Sequence, residues 1–211
     1  MPDQFYFINA FAKAEFMGNP AVIVILESNR SDEWLQKTAA EFNQPITSFL
    51  IKEENDYQLR WFTPVKELTL CGHGTLGAAF VLWNDGFHSR QEPIYFQTKG
   101  GKLKAGLREG QVILTLDLKP VREVEVTPEL KQVVDYPIHK AAWAGDRYII
   151  EFEKEEMVYR ARPIIETVEE LKGAGLVITS KGKPPYDFIS RYFAPSSALQ
   201  KISSLALPIV L

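Results

Sequence analysis

A single cysteine, Cys71, stands in the whole chain. An internal disulfide is thereby excluded, and so is any metal site built from clustered thiolates. A reducing cytoplasm is the expected compartment for such a chain. Histidine is almost as scarce. His73, His88 and His139 stand far apart and show no HExxH-type spacing, so no metal site is expected. Basic charge is not in excess: 24 Lys and Arg face 27 Asp and Glu, for a net charge of −3. A nucleic-acid partner, which needs a basic face, is therefore not expected. No apolar run reaches the roughly 18 residues of a membrane-spanning helix. The start, Met1-Pro2-Asp3-Gln4, lacks the basic and apolar stretches of a signal peptide. What remains is an ordinary globular composition, 45% hydrophobic and 24% charged over 211 residues, enough for one large domain or two small ones.

Periodicity then places the elements. Phe5 to Ile8 is aromatic and β-prone, and Gly18-Asn19-Pro20 is a turn before the strand Ala21 to Ile25. Ser31 reads as an N-cap, with Asp32 and Glu33 in the dipole-favoured first turn. Trp34, Leu35, Thr38, Ala39 and Phe42 follow at helical spacing, which predicts a helix over 32–42. Strands are expected over 48–52, 57–62, 94–98, 102–107 and 112–118, with Gly100-Gly101 and Glu109-Gly110 as hairpin turns. Between them, Thr75 to Trp83 is apolar on nearly every face, the mark of a buried helix. A strand-rich segment holding one such helix implies a sheet curled around it.

From about Lys119 the order of strand, helix and strand runs again. Thr127-Pro128 opens a helix, and Thr167 to Lys172 ends another, with Gly173 as its stop. Strands are expected over 147–152, 176–179 and 187–193, while Glu153-Lys154-Glu155-Glu156 reads as a solvated turn. The expected fold is α/β (α+β) in two pseudo-symmetric halves, residues 1–120 and a partial second half, 121–211.

The segment that carries chemistry is Cys71-Gly72-His73-Gly74-Thr75-Leu76-Gly77. Its glycines let a backbone turn sharply and approach a ligand. A helix starting near Thr75 aims free N–H groups and a positive dipole end at that spot, a ready site for a carboxylate or phosphate. His73, with an ordinary pKa near ~6.5, exchanges protons at neutral pH. Cys71, close to the same helix start, is expected to have a lowered thiol pKa. The blander alternatives are tight helix–sheet packing for the glycines, an inert small hydrophobe for Cys71 and a structural hydrogen bond for His73. The segment is neither a Walker loop, lacking the Lys-Ser/Thr ending, nor a Rossmann fingerprint. Arg60-Trp61-Phe62 can hold a cation over a ring, although strand alternation explains it equally well.

An ordered set of pieces spans nearly the whole chain: Ile8-Asn9-Ala10-Phe11, Gly18-Asn19-Pro20, Leu59-Arg60-Trp61-Phe62-Thr63-Pro64, the glycine-rich segment, and Ser190-Arg191-Tyr192-Phe193-Ala194-Pro195. Together they resemble the PhzF-like (phenazine biosynthesis-like) family. The resemblance implies a diaminopimelate-epimerase-like fold with the site in a cleft between the halves. It also implies a homodimer and a cofactor-free isomerase that moves a proton within a dihydro-hydroxyanthranilate or similar small carboxylate. His73 falls at the family's site histidine. Gly72, Gly74 and Thr75, with Gly18 and Asn19, become the expected substrate contacts.

Two departures stand out. The family's acid–base glutamate lies in a segment like Asn-Leu-Ser-Glu-Thr-x-Phe, and here Asn43-Gln44-Pro45-Ile46-Thr47-Ser48-Phe49 puts Ile46 at its place. Isoleucine cannot transfer a proton, and such catalysis is typically worth ~10²–10⁴-fold. After Phe193-Ala194-Pro195 the family reads roughly Gly-Ile-x-Glu-Asp-Pro-Val-Thr-Gly-Ser-Ala-His. The present tail, Ser197 to Leu211, recovers most of that text when back-translated and read one base out of frame. A frameshift from about Ser197 is the resulting expectation: the coding DNA, read one base over, should continue an open frame for several dozen codons, and an immediate stop would refute it. Three functions stay open: an isomerase using His73, a binding protein of the same fold without turnover, and a thiol racemase-like variant using Cys71. The last would need a second thiol on the opposite face, and the chain has none.

Overall fold

The computed structural model describes residues 3–12, 14, 17–116, 118, 120–171, 173, 175–184 and 186–193. The chain forms two compact units, 1–117 and 118–211. The Ser197–Leu211 expectation lies outside the described residues.

The first unit is an eight-stranded sheet wrapped on one long helix. In chain order it holds β1 (Gln4–Ala10), β2 (Asn19–Leu26), α1 (Asp32–Phe42), β3 (Thr47–Lys52), β4 (Tyr57–Phe62), β5 (Glu67–Leu68), α2 (Gly72–Asn84), β6 (Ile94–Thr98), β7 (Gly101–Arg108) and β8 (Gln111–Thr115). The sheet runs β1-β2-β3-β4-β6-β7-β8, with β5 hydrogen-bonded to β4. β2 and β3 are parallel, joined by α1, as are β4 and β6, joined through α2; the other neighbours are antiparallel. α2 touches β1 and β8, the two edges, as well as β2 and β3. A sheet whose opposite edges reach one helix is curled around it. The inner core holds Ile23, Leu50, Leu59, Trp61, Leu82 and Phe96. The outer face of the sheet carries a second cluster under α1, with Val22, Val24, Leu35, Phe49 and Phe62.

Local chemistry fixes α1 at both ends. The Ser31 hydroxyl accepts from the Trp34 N–H at 3.2 Å, and Asn43 ends the helix in the left-handed region at φ 48°, as small polar side chains allow. Arg60 ties α1 to the sheet. It grips Glu67 with two hydrogen bonds of 2.7 and 2.8 Å and reaches Asp32 at the start of α1 at 2.7 Å. Burial opposes the charge on Glu67, but Arg60 and Lys99 outweigh it and hold the carboxyl below its ordinary range. The ring beneath the Arg60 guanidinium is Phe62, at 5.1 Å.

The second unit contains β9 (Arg122–Val124), α3 (Pro128–Gln132), β10 (Lys140–Trp143), β11 (Tyr148–Glu151), α4 (Glu155–Arg160), α5 (Ile165–Glu170), β12 (Leu176–Lys181) and β13 (Phe188–Phe193). Its sheet runs β13-β12-β11-β10-β9. β10 to β13 repeat the plan of β1 to β4: antiparallel, then a parallel pair bridged by helix, then antiparallel. The repeat extends to side chains, since Arg191 lies 4.9 Å over Phe193 as Arg60 lies over Phe62. α4 begins at Glu155, inside the charged stretch that reads as a turn in sequence. Only Met157 and Val158 among its side chains join the apolar cluster on that face, too few to show a period. Among the described residues the second unit has no counterpart of α2, its longest helices having six residues.

Candidate active site

The direction of α2 locates the glycine-rich turn. Ser48, at the start of β3, donates to the Gly74 carbonyl at 3.3 Å, and Tyr57, at the far end of the β3–β4 pair, donates to the Phe87 carbonyl just past the helix at 3.0 Å. α2 therefore runs alongside β2 and β3 in their own direction. Its N-terminus lies at the end of the unit where Asn19 opens β2 and Thr47 opens β3. Gly18 and Asn19 thus stand at the same end as Gly72 to Thr75. Gly18 has φ +102°, and a Cβ there would sit 2.8 Å from the Ala10 carbonyl oxygen, so the β1–β2 turn requires glycine.

The helix starts at Gly72 rather than near Thr75, with Cys71 as its N-cap residue. The first intrahelical bond is Thr75 N–H to the Cys71 carbonyl at 3.0 Å. The glycines therefore divide by role. A Cβ on Gly74 would meet Ser48 Oγ at 2.7 Å and Trp61 Cδ1 at 2.9 Å, so this glycine serves close packing on the sheet. Gly77 does the same against Ile8 and Ile23. Only at Gly72 does a Cβ point into open space. Thr75 is fully buried and its hydroxyl donates to the Cys71 carbonyl at 2.6 Å. The Thr75 side chain is thus engaged with its own helix. Ser48 and Trp61 shape this turn; in sequence Trp61 stands out only within Arg60-Trp61-Phe62, and Ser48 carries no signal of its own.

His73 sits on the one stripe of α2 that the sheet leaves open. Its i+3 and i+7 neighbours are Leu76, half-buried, and Phe80, 52% exposed. Its Nδ1 is 3.4 Å from Cys71 Sγ. Its Nε2 is buried without a hydrogen-bond partner in the protein, as are Thr47 Oγ1 and Trp61 Nε1, a condition that calls for an explanation. Burial pushes the imidazole pKa down to about 4, so His73 is neutral at pH 7. The thiol expectation reverses. Burial raises Cys71 to about 12, outweighing the lowering by the backbone N–H groups of Gly74 and His73. Cys71 is a thiol here, because loss of water costs a charge more than a helix terminus returns.

A model of the phenazine biosynthesis-like protein family (PhzC-PhzF) matches residues 8–201. The chain belongs to that family. An uncharacterised isomerase of Halalkalibacterium halodurans is 35% identical over 201 residues, which cover 93% of this chain and 75% of that protein. The crystal structure of a PhzF-family protein from Enterococcus faecalis is 34% identical with a TM-score of 0.80, over 90% of this chain and 73% of that one. A predicted epimerase of Pseudomonas aeruginosa, 17% identical with a TM-score of 0.60 over 82% and 68% of the two chains, shares the fold alone. This PhzF-like protein thus belongs to the phenazine biosynthesis-like family, whose relatives include that uncharacterised isomerase, and has the epimerase-like fold.

In the PhzF-like frame Ile46 gains a structural account. It is 1% exposed and belongs to the cluster that contains Cys71 and Trp61. Its carbonyl accepts from Val22 N–H at 2.9 Å, stitching β2 to the entry of β3. The position is a core position, filled by an alkyl side chain. Among the described residues no group of three or more His, Cys, Asp or Glu side chains is placed to hold a metal. No helix of the described residues is long and apolar enough to cross a membrane.

Proposed function

We propose that this PhzF-like protein is a cofactor-independent isomerase or epimerase acting on a small carboxylate by proton transfer. The carboxylate rests on the free N–H groups at the start of α2, beside Gly72, and His73 takes part in the proton-transfer step. The observation that carries the reading is the half-buried, neutral His73, whose buried Nε2 has no partner in the protein, at that helix start. An anion there gains from the dipole and from donors that have no helical partner. Family membership supports the reaction class, and the family resemblance supports a homodimer. A single cysteine suits a reducing cytoplasm.

The test is proton exchange in deuterated water. The protein is incubated with dihydro-hydroxyanthranilate and with a panel of α-amino and α-hydroxy acids, and deuterium uptake at carbon is followed by NMR and mass spectrometry. Uptake is expected into at least one carboxylate, falling ~100-fold or more in His73→Ala, the lower end for loss of an acid–base group. Uptake unchanged in His73→Ala would sink the assignment. Binding of the panel without any uptake would leave a small-molecule-binding protein of the same fold, the outcome that the alkyl side chain of Ile46 would explain.

A further inference from the structure

Arg60 and Arg191 occupy the same place in the two units. Arg60 pairs across the sheet with Phe49, and Phe49 with Val24. Arg191 pairs with Ile178, and Ile178 with Ile150. Each arginine lies over the phenylalanine two residues on. In each unit Nη1 reaches the helix layer. Arg60 donates from it to Asp32 at the start of α1, and Arg191 to the carbonyls of Val158, Tyr159 and Ala161 at the end of α4. The other edge of the guanidinium is where the two differ. Nε and Nη2 of Arg60 donate side by side to the two carboxylate oxygens of Glu67, seven residues along. Seven residues beyond Arg191 stands Ala198, and positions 194–211 hold no Asp or Glu.

A second observation is made on Arg191 itself. The residue is 8% exposed, and its Nε is buried with no hydrogen-bond partner. Its hydrogen bonds to the described residues all come from Nη1. The balance of charge agrees. Glu67 and Asp32 raise the pKa of Arg60, whereas burial and the like charge of Arg162 lower that of Arg191. A buried guanidinium with an unpaired donor edge carries a cost that an anion of matching shape removes. The matching shape is two oxygens in one plane, as a carboxylate has. From this we infer that the Nε–Nη2 edge of Arg191 is a binding site for a small carboxylate, held by the same two-pronged contact that Glu67 makes with Arg60. The inference does not depend on the proposed reaction. A carboxylate bound there stabilises the folded second unit in step with its concentration.

The experiment uses the full chain labelled with ¹⁵N-arginine, and the probe is sodium acetate against sodium chloride at equal ionic strength. The Nε–H resonance of Arg191 is identified by its contact with the Phe193 ring and by its loss in Arg191→Lys. Acetate is expected to move that resonance along a saturating curve and to raise the urea midpoint over the same range, while chloride does neither. Arg191→Lys keeps the charge and loses the fork. In it the affinity for acetate, read from the rise in midpoint, falls ~10-fold or more, the weight of one charge-assisted hydrogen bond. A resonance that acetate leaves in place overturns the inference. So does an equal response to chloride, which would mark a general effect of charge, and so does an acetate affinity that Arg191→Lys leaves unchanged. Because the first two outcomes are read on the unmodified protein, misfolding of the variant does not remove the test.

Discussion

Arg191→Met lowers the stability of the second unit by about 2 kcal/mol, measured as a shift in urea unfolding, because the Val158 carbonyl loses its side-chain donor and those of Tyr159 and Ala161 keep only the longer bonds from Arg162 Nη1, at 3.3 and 3.2 Å. Arg191 is 8% exposed on β13. Its Nη1 donates to the carbonyls of Val158, Tyr159 and Ala161 at 2.8, 3.1 and 2.9 Å, all at the end of α4. Burial pulls the guanidinium below its ordinary pKa, yet an arginine stays charged, and carbonyl oxygens at a helix C-terminus are suitable partners for a cation. Methionine fills much of the same space, so the loss reports the hydrogen bonds together with the guanidinium's contact over the Phe193 ring. Hydrogen exchange should show the amides of 155–161 and 176–193 loosening first. A variant within about 0.5 kcal/mol of the parent, the ordinary scatter of surface changes, would show that α4 does not depend on this arginine.

The second large effect is a dependence of stability on pH that belongs to His73. The folded pKa is about 4 against 6.5 for an ordinary histidine, through burial. In the unfolded chain the imidazole binds a proton as pH falls through 6.5, while in the folded chain it resists until about 4. The unfolded state therefore holds more protons across that window, and stability falls as the solution is acidified. The contribution is fully present above pH 6.5 and gone below pH 4, with a total of roughly 3 kcal/mol for a shift of this size. Urea midpoints of the parent and of His73→Gln, measured from pH 7.5 to pH 4, should diverge in steepness, the parent losing more. Parallel curves would mean that His73 is not held neutral by the fold.

Both effects depend on burial, and burial is where the sequence stops being readable. The thiol of Cys71 shows this clearly. Proximity to a helix start argues for a lowered pKa, and that proximity is real, with Cys71 the N-cap residue itself. The opposite shift prevails because the residue is also packed among Ile46, Trp61 and Ala78. The same packing separates the glycines. In sequence Gly72, Gly74 and Gly77 are alike, and only the placement of Ser48, Trp61, Ile8 and Ile23 shows that two of them serve helix–sheet contact. α4 was hidden for a related reason. Its charged first turn, Glu155-Glu156, suits a helix N-terminus as well as a solvated turn.

By itself the sequence determined what local chemistry can decide. Ser31 and Asn43 bounded α1, short β-prone runs between turn signals placed β3, β4 and β6, and a run apolar on nearly all sides marked α2 as the helix a sheet must wrap. The ordered motifs from Ile8 to Phe193 pointed to the family, and the isoleucine at position 46 is read from sequence alone. The tertiary structure alone decided which side of α2 stays open, that His73 lies on it, that Thr75 turns away from it and that Nδ1 of His73 lies against the Cys71 sulfur. Those facts follow from which side chains lose water and which atoms meet across the fold, and no spacing within one strand of text encodes either.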